Sequence, residues 1–207
     1  MSTSKEVILE AVRRNRPASC AAPELRQAWT IYPDRRAQFI DVLTAVGGTA
    51  FAVRDEVDLN ERLRLLPIVC DARKTVSLLP GIGEPNVDLS NVGSPHALAD
   101  VDVAILPGEF AVAENAAVWI TDRDVPLRVI YFLCQHLVLV VPAGAIVDNM
   151  HAAYERLASS GAESTSVFAE PIFGAFISGP SKTADIEQSL VIGAHGPRSL
   201  TVFLLGT

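Results

Sequence analysis

Apolar residues in the first segment fall at Val7, Ile8, Ala11 and Val12, a spacing that gathers them on one side of a 3.6-residue turn and predicts an amphipathic helix over residues 5–16. A proline-containing stretch, 17–33, then carries Trp29, Ile31 and Tyr32 in what reads as an arm or loop. Asp34 is placed to cap a helix running to about residue 46, with Phe39, Ile40, Leu43 and Val46 on one face and Gly47-Gly48 ending it. A short strand over 49–53 and a helix over 56–66 follow, then strand-like pieces at 68–70 and 75–79. The Gly, Pro, Asn and Asp rich stretch between Pro80 and Pro95 is the longest irregular segment, and loops of that length in compact domains are often functional or mobile.

Beyond this loop the pattern predicts strands at 101–106, 117–121 and 135–141, the last apolar on both faces and therefore central. A stripe of Ile146, Val147, Met150, Tyr154 and Leu157 predicts a helix over 142–160 with Gly161 as its stop. A strand over 173–178, a turn, a helix over 183–192 and a strand over 200–205 complete the chain. Strands and helices in alternation predict an α/β fold with a mostly parallel sheet covered by helices on both faces. Residues 1–207 then form one domain, with 1–48 as a helical N-terminal portion.

One segment, 129–147, approaches the length of a bilayer span, for which about 20 apolar residues are needed. Gln135, His136, Pro142 and Gly144 interrupt it, so a buried strand is expected and no membrane span. The net charge of −7, from 17 Lys and Arg against 24 Asp and Glu, argues against nucleic acid as a partner, because phosphate binding depends on clustered cations. Cys20, Cys70 and Cys134 are far apart, with no ligand spacing for zinc or an iron–sulfur cluster, and the cofactor, if one is bound, is left unidentified. Dispersed cysteines and a first segment without a signal-peptide pattern give the expectation of a cytoplasmic protein.

Three stretches bear on chemistry. PGIGEPN, residues 80–86, has Gly81 and Gly83 but Asn86 where a dinucleotide fingerprint needs its third glycine, and no P-loop occurs. ISGPSKTADIE, residues 177–187, brings a strand to Gly179-Pro180 just before the expected helix, so orphan N–H groups, the helix dipole and Lys182 would together suit an anion. Against this, Ser181, Thr183 and Asp185 are good caps, Asp185 and Gln188 have capping-box spacing, and Asp185 and Glu187 repel an anion, so the two readings stand level. In LPGEFAVAENAAVWI, residues 106–120, Gly108-Glu109 breaks a strand and Glu114 lies among small apolar residues, where its carboxylate is either raised in pKa by burial, tied to a donor, or simply that of an exposed loop glutamate. His195, in GAHGPRS, is a turn histidine or a base.

Three stretches together, VDVAILPGEFAVAENAAVWI (101–120), HLVLVVP (136–142) and ISGPSKTADIEQSLVIGAHGPRSLTVFLL (177–205), resemble the lactate-utilisation (LUD) domain family. The most specific likeness is C-terminal: Ser178-Gly179-Pro180-Ser181, Thr183-Ala184-Asp185-Ile186-Glu187 and Gly193-Ala194-His195-Gly196-Pro197 follow the family order. One departure stands out, since the family commonly reads Ala-Glu-Thr-Gly where this chain has Ala113-Glu114-Asn115-Ala116. The resemblance implies a three-layer α/β/α fold similar to the ribose-phosphate isomerase and CoA-transferase superfamily. It also implies a part in a cytoplasmic system oxidising L-lactate to pyruvate, as a subunit without an iron–sulfur cluster that binds substrate or assembles the complex with cluster-bearing partner subunits. The alternative is an independent enzyme or binder of a small anionic molecule such as a sugar phosphate, a CoA ester or a carboxylate. On either reading the expected ligand-binding residues are Ser178, Gly179, Ser181, Lys182, Thr183 and Gly108, and the expected catalytic residues are Glu114, Asp185, Glu187 and His195.

Overall fold

The structure, a computed structural model, describes residues 3–21, 23–24, 27–163, 173–184 and 190–206. In chain order the elements are α1 (Ser4–Arg14), α2 (Arg35–Ala45), β1 (Thr49–Val53), α3 (Glu56–Arg64), α4 (Pro67–Cys70), β2 (Thr75–Ser77), β3 (Val103–Pro107), β4 (Phe110–Val112) and β5 (Ala117–Thr121). They continue with α5 (Ile130–Leu133), β6 (His136–Pro142), β7 (Ile146–Val147), α6 (Met150–Glu163), β8 (Gly174–Ile177), β9 (Lys182–Thr183), β10 (Val191–Ile192) and β11 (Ser199–Leu205).

The fold is α/β, built on a five-stranded, wholly parallel sheet in the order β1-β11-β6-β3-β2. Strand alternation sends its two sets of side chains to two different cores. Val103, Ile105, Val138, Val140 and Phe203 pack with Leu59 and Leu63 of α3, while Ala104, Leu106, Leu137, Leu139, Val202 and Leu204 pack with Phe39 and Leu43 of α2 and with a second sheet. That second sheet, β7-β4-β5-β8, is mostly antiparallel. Its far face meets α6 through Phe110, Val112, Ala117 and Ala153.

Several expected elements stand where the pattern put them. Asp34 caps α2 by accepting the Ala37 N–H at 2.9 Å, and β1 and β5 have the expected bounds. The stretch 129–147 folds as α5, β6 and β7, and no helix among the described residues is long and apolar enough to cross a membrane. Residues 68–70, expected as strand, are instead the helical turn α4, because Pro67 presets the first helical φ. The 80–95 loop is pinned by Asn86, whose amide bonds both Thr75 N–H and the Arg73 carbonyl, and by the buried Ile82 and Leu89.

The helix expected over 142–160 begins only at Met150. Before it the chain continues β6 through Pro142 and then adds β7 alongside β4. Asn149 accepts the Ala152 N–H at 3.0 Å and fixes that start. The 17–33 arm finds its seat here as well. Asn149 donates to the Thr30 carbonyl, Asp148 accepts the Tyr32 N–H and pairs with Arg35, and Trp29 stacks on His151 with ring centroids 3.4 Å apart. By contrast α1 buries none of its residues, and Val7, Ile8 and Val12 stay more than half exposed.

Candidate functional site

The chain leaves β8 into Ser178-Gly179-Pro180-Ser181 and there departs from expectation. Lys182 and Thr183 pair antiparallel with Ile192 and Val191, so both described ends of the segment 183–192 are strands of a hairpin and not a helix. The N–H of Ser181 donates to Pro197 O and its carbonyl accepts from Gly193 N, both at 2.9 Å. Among the described residues, Ser181 to Thr183 therefore present a turn and a strand where the anion site would have needed the orphan donors of a helix start. Thr-Ala-Asp followed by a run of apolar residues fits a helix start equally well, and only the pairing of β10 (Val191–Ile192) with β9 selects the strand. Asp185 and Glu187 lie outside the described residues.

Lys182 is also occupied. Its ammonium donates to the Val46 carbonyl at 2.6 Å, at the C-terminus of α2, where a cation offsets the helix dipole. Gly179 lies against the same end, with φ +73° and Val46 carbonyl oxygen 3.1 Å from where a Cβ would stand, so a larger residue is strained by the backbone conformation and crowds Val46. Thr183 Oγ1 and His195 Nδ1 are 3.3 Å apart, and Gly196 lets the His195 loop approach the Ser181 side chain. Ser178, Ser181, Thr183 and His195 thus form one folded patch.

Glu114 joins this patch through its neighbour. Ser178 Oγ donates to the Asn115 carbonyl at 2.6 Å, while the Glu114 carboxylate accepts the Met150 N–H at 3.0 Å and serves the first turn of α6. Glu114 is tied to a donor and at the same time exposed, so burial does not act on its carboxylate and it matches the expectation of an exposed loop glutamate as well as that of a tethered one. Ala116, standing where the family has glycine, is buried with φ +54°, a left-handed conformation that glycine adopts without cost. Gly108 is buried too: a Cβ there would come within 2.5 Å of Val118 and 2.8 Å of Val141, so its bareness serves packing between the two sheets.

Residues absent from the sequence-derived set gather beside the hairpin. Register pairs Val103 with His136 and His136 with Ser199, so the amino ends of β3, β6 and β11 lie level. A cleft of about 510 Å³ opens there, lined by Asp71, Asp100, Asp102, Gln135, His136 and Arg198. His136 Nδ1 is 2.8 Å from Ser199 Oγ. Burial, helped by nearby Arg198 and opposed by Asp102, holds the imidazole below its ordinary pKa and so neutral at pH 7. Asp102 accepts the N–H groups of Lys74 and Arg73 at 3.0 and 2.8 Å, bonds that keep its carboxyl below the usual range. A lone histidine at the head of an apolar strand was the available signal, but strand order alone reveals its neighbours.

A parallel α/β sheet backed by a smaller, mostly antiparallel sheet, with a strand pair flanked by Gly179 and Gly193 and a polar cleft at the amino edge, defines the class of protein. A crystal structure of a DUF162 family protein from Deinococcus radiodurans shares this fold with a TM-score of 0.57 at 20% identity, covering 83% of this chain and 96% of that one. Residues 90–205 match the model of the LUD domain, and the chain belongs to that family. Lactate utilization protein C of Exiguobacterium sp. is 31% identical over 162 residues, 73% of this chain and 69% of the relative. Its counterpart in Geobacillus kaustophilus is 30% identical over 122 residues, 57% of this chain but 45% of the relative, so the match spans about half the length of such proteins.

Proposed function

We propose that this chain is a subunit of a cytoplasmic system that oxidises L-lactate to pyruvate, binding substrate or holding the assembly together while partner subunits bear the iron–sulfur clusters. The similarity to proteins named lactate utilization protein C carries this reading. Cysteine chemistry supports it. Cluster ligands are sets of neighbouring thiolates, whereas Cys134 is buried and Cys20 and Cys70 are exposed on separate segments. Electron transfer then runs through partners. The patch of Ser178, Gly179, Ser181, Thr183 and His195, joined to Glu114 through Asn115, is the surface this chain contributes to substrate or partner.

The experiment compares the purified chain with the chain co-expressed with cluster-bearing subunits, each given L-lactate and an artificial electron acceptor. Turnover is expected only in the assembled system. Robust lactate oxidation by the chain alone overturns the subunit role.

A further inference from the structure

We propose that the cleft at the amino ends of β3, β6 and β11 binds a small 2-hydroxy- or 2-oxocarboxylate, with the Arg198 guanidinium taking the carboxylate and His136 Nε2 the neighbouring oxygen. This deepens the lactate reading above and rests on it.

The cleft's volume, about 510 Å³, is in the range of small-molecule sites. Its charges sort into occupied and available ones. Asp102 is held by the Arg73 and Lys74 backbone N–H groups through Oδ2 and keeps its charge, while the charge of Asp100 is paired with the Lys74 ammonium at 2.5 Å. Asp71 is exposed. Among the described residues no carboxylate lies within ion-pair distance of Arg198, which leaves its planar fork for an external one. An Arg fork matches a carboxylate's two oxygens, and charge-assisted bonds of this kind are the stronger class.

His136 supplies the discrimination. Its Nδ1 is engaged by Ser199 Oγ, so Nε2 is the nitrogen left to the cleft. A neutral imidazole holds one proton. If the Ser199 hydroxyl donates to Nδ1, Nε2 carries the proton and donates to a keto oxygen; if Nδ1 donates to Ser199, Nε2 accepts from a hydroxyl. A rotation of one serine hydroxyl therefore lets the same side chain receive either member of a hydroxy acid and keto acid pair. The hairpin loop holds this arrangement: Arg198 N–H bonds the Gln135 carbonyl at 2.8 Å, and the Arg198 Cγ fills the space a Gly193 Cβ would need, 2.4 Å away. The glycine of the family motif thus serves the placement of Arg198.

The test titrates the full chain with L-lactate, pyruvate, acetate and inorganic phosphate, following the His136 imidazole and Arg198 guanidinium by ¹⁵N NMR. Lactate and pyruvate are expected to shift both residues and to bind more tightly than acetate or phosphate. Arg198→Gln should weaken both by at least about tenfold, the loss of a charge-assisted pair. His136→Asn, which keeps a polar atom near Ser199 and removes Nε2, should erase the preference over acetate. No shift at these two residues overturns the proposal, as does undiminished affinity in an Arg198→Gln protein that melts like the wild type, or binding of acetate and phosphate as tight as that of lactate. Binding is read without partner subunits, so its failure is distinct from failure of the subunit role, which is read as turnover of the assembled system.

Discussion

Ser178 Oγ donates to the Asn115 carbonyl at 2.6 Å, one short hydrogen bond joining the C-terminal hairpin to the turn between β4 and β5 across 63 positions of sequence. Ser178→Ala removes it at little cost in packing, because the side chain is exposed. A loss of about 1 kcal/mol is expected, or about 2–4 °C in Tm for a domain of this size. Thermal denaturation reads it, and an unchanged Tm would show the bond to be energetically idle.

Two buried alanines side by side should answer differently to the same deletion. Ala116→Gly loses a methyl group but relieves a left-handed φ of +54°, whose cost for an L-residue is about 1–2 kcal/mol, so stability should stay within about 1 kcal/mol of wild type. Ala117→Gly, in β5, gets no such relief and should lose about 1–2 kcal/mol. Urea denaturation of the pair decides. Equal losses at both positions would mean that Ala116 carries no strain.

Glu114 caps α6, and the two roles open to it separate by substitution. Glu114→Ala strands the Met150 N–H and should cost about 1 kcal/mol, whereas Glu114→Gln keeps an acceptor in place and most of the stability. A Gln variant with wild-type Tm that nonetheless abolishes turnover of an assembled lactate system would assign the carboxylate a chemical role besides the cap.

Acid should find His136 before the carboxylates. Its folded pKa is depressed below 6.5, so as pH falls through 6.5 the unfolded chain takes up a proton that the folded chain resists, and stability declines. The decline ends once pH is below the folded pKa. Asp102, depressed from 3.8, adds a second loss at lower pH, as its carboxylate is protonated and the bonds from Lys74 and Arg73 weaken. Melting temperatures of wild type and His136→Asn between pH 7 and pH 5 should diverge, the variant showing the flatter profile. Parallel curves would remove His136 as the cause.

Thiol chemistry checks the core. Cys20 and Cys70 are exposed and should react with Ellman's reagent in the native protein, while Cys134, buried and with its thiol pushed up to about 12, should react only on unfolding. Three fast thiols in the native state would contradict the packing of α5 against β3.

Local pattern was enough for whatever depends on neighbours along the chain. Asp34 as a cap, the both-faces-apolar run of β6 and the strand alternation of an α/β fold follow from side-chain period and capping chemistry, which act over a few residues. The family motif likewise lies in one contiguous stretch, which is why Ser178, Gly179 and His195 stood out. Pairing across the chain decided the rest. The two described ends of 183–192 read as helix until β10 is set against β9, and 142–149 until β7 is laid beside β4. The cleft of His136, Asp102 and Arg198 exists because strands far apart in sequence start level in one parallel sheet, a register fixed by burying two opposite faces and written in no single segment.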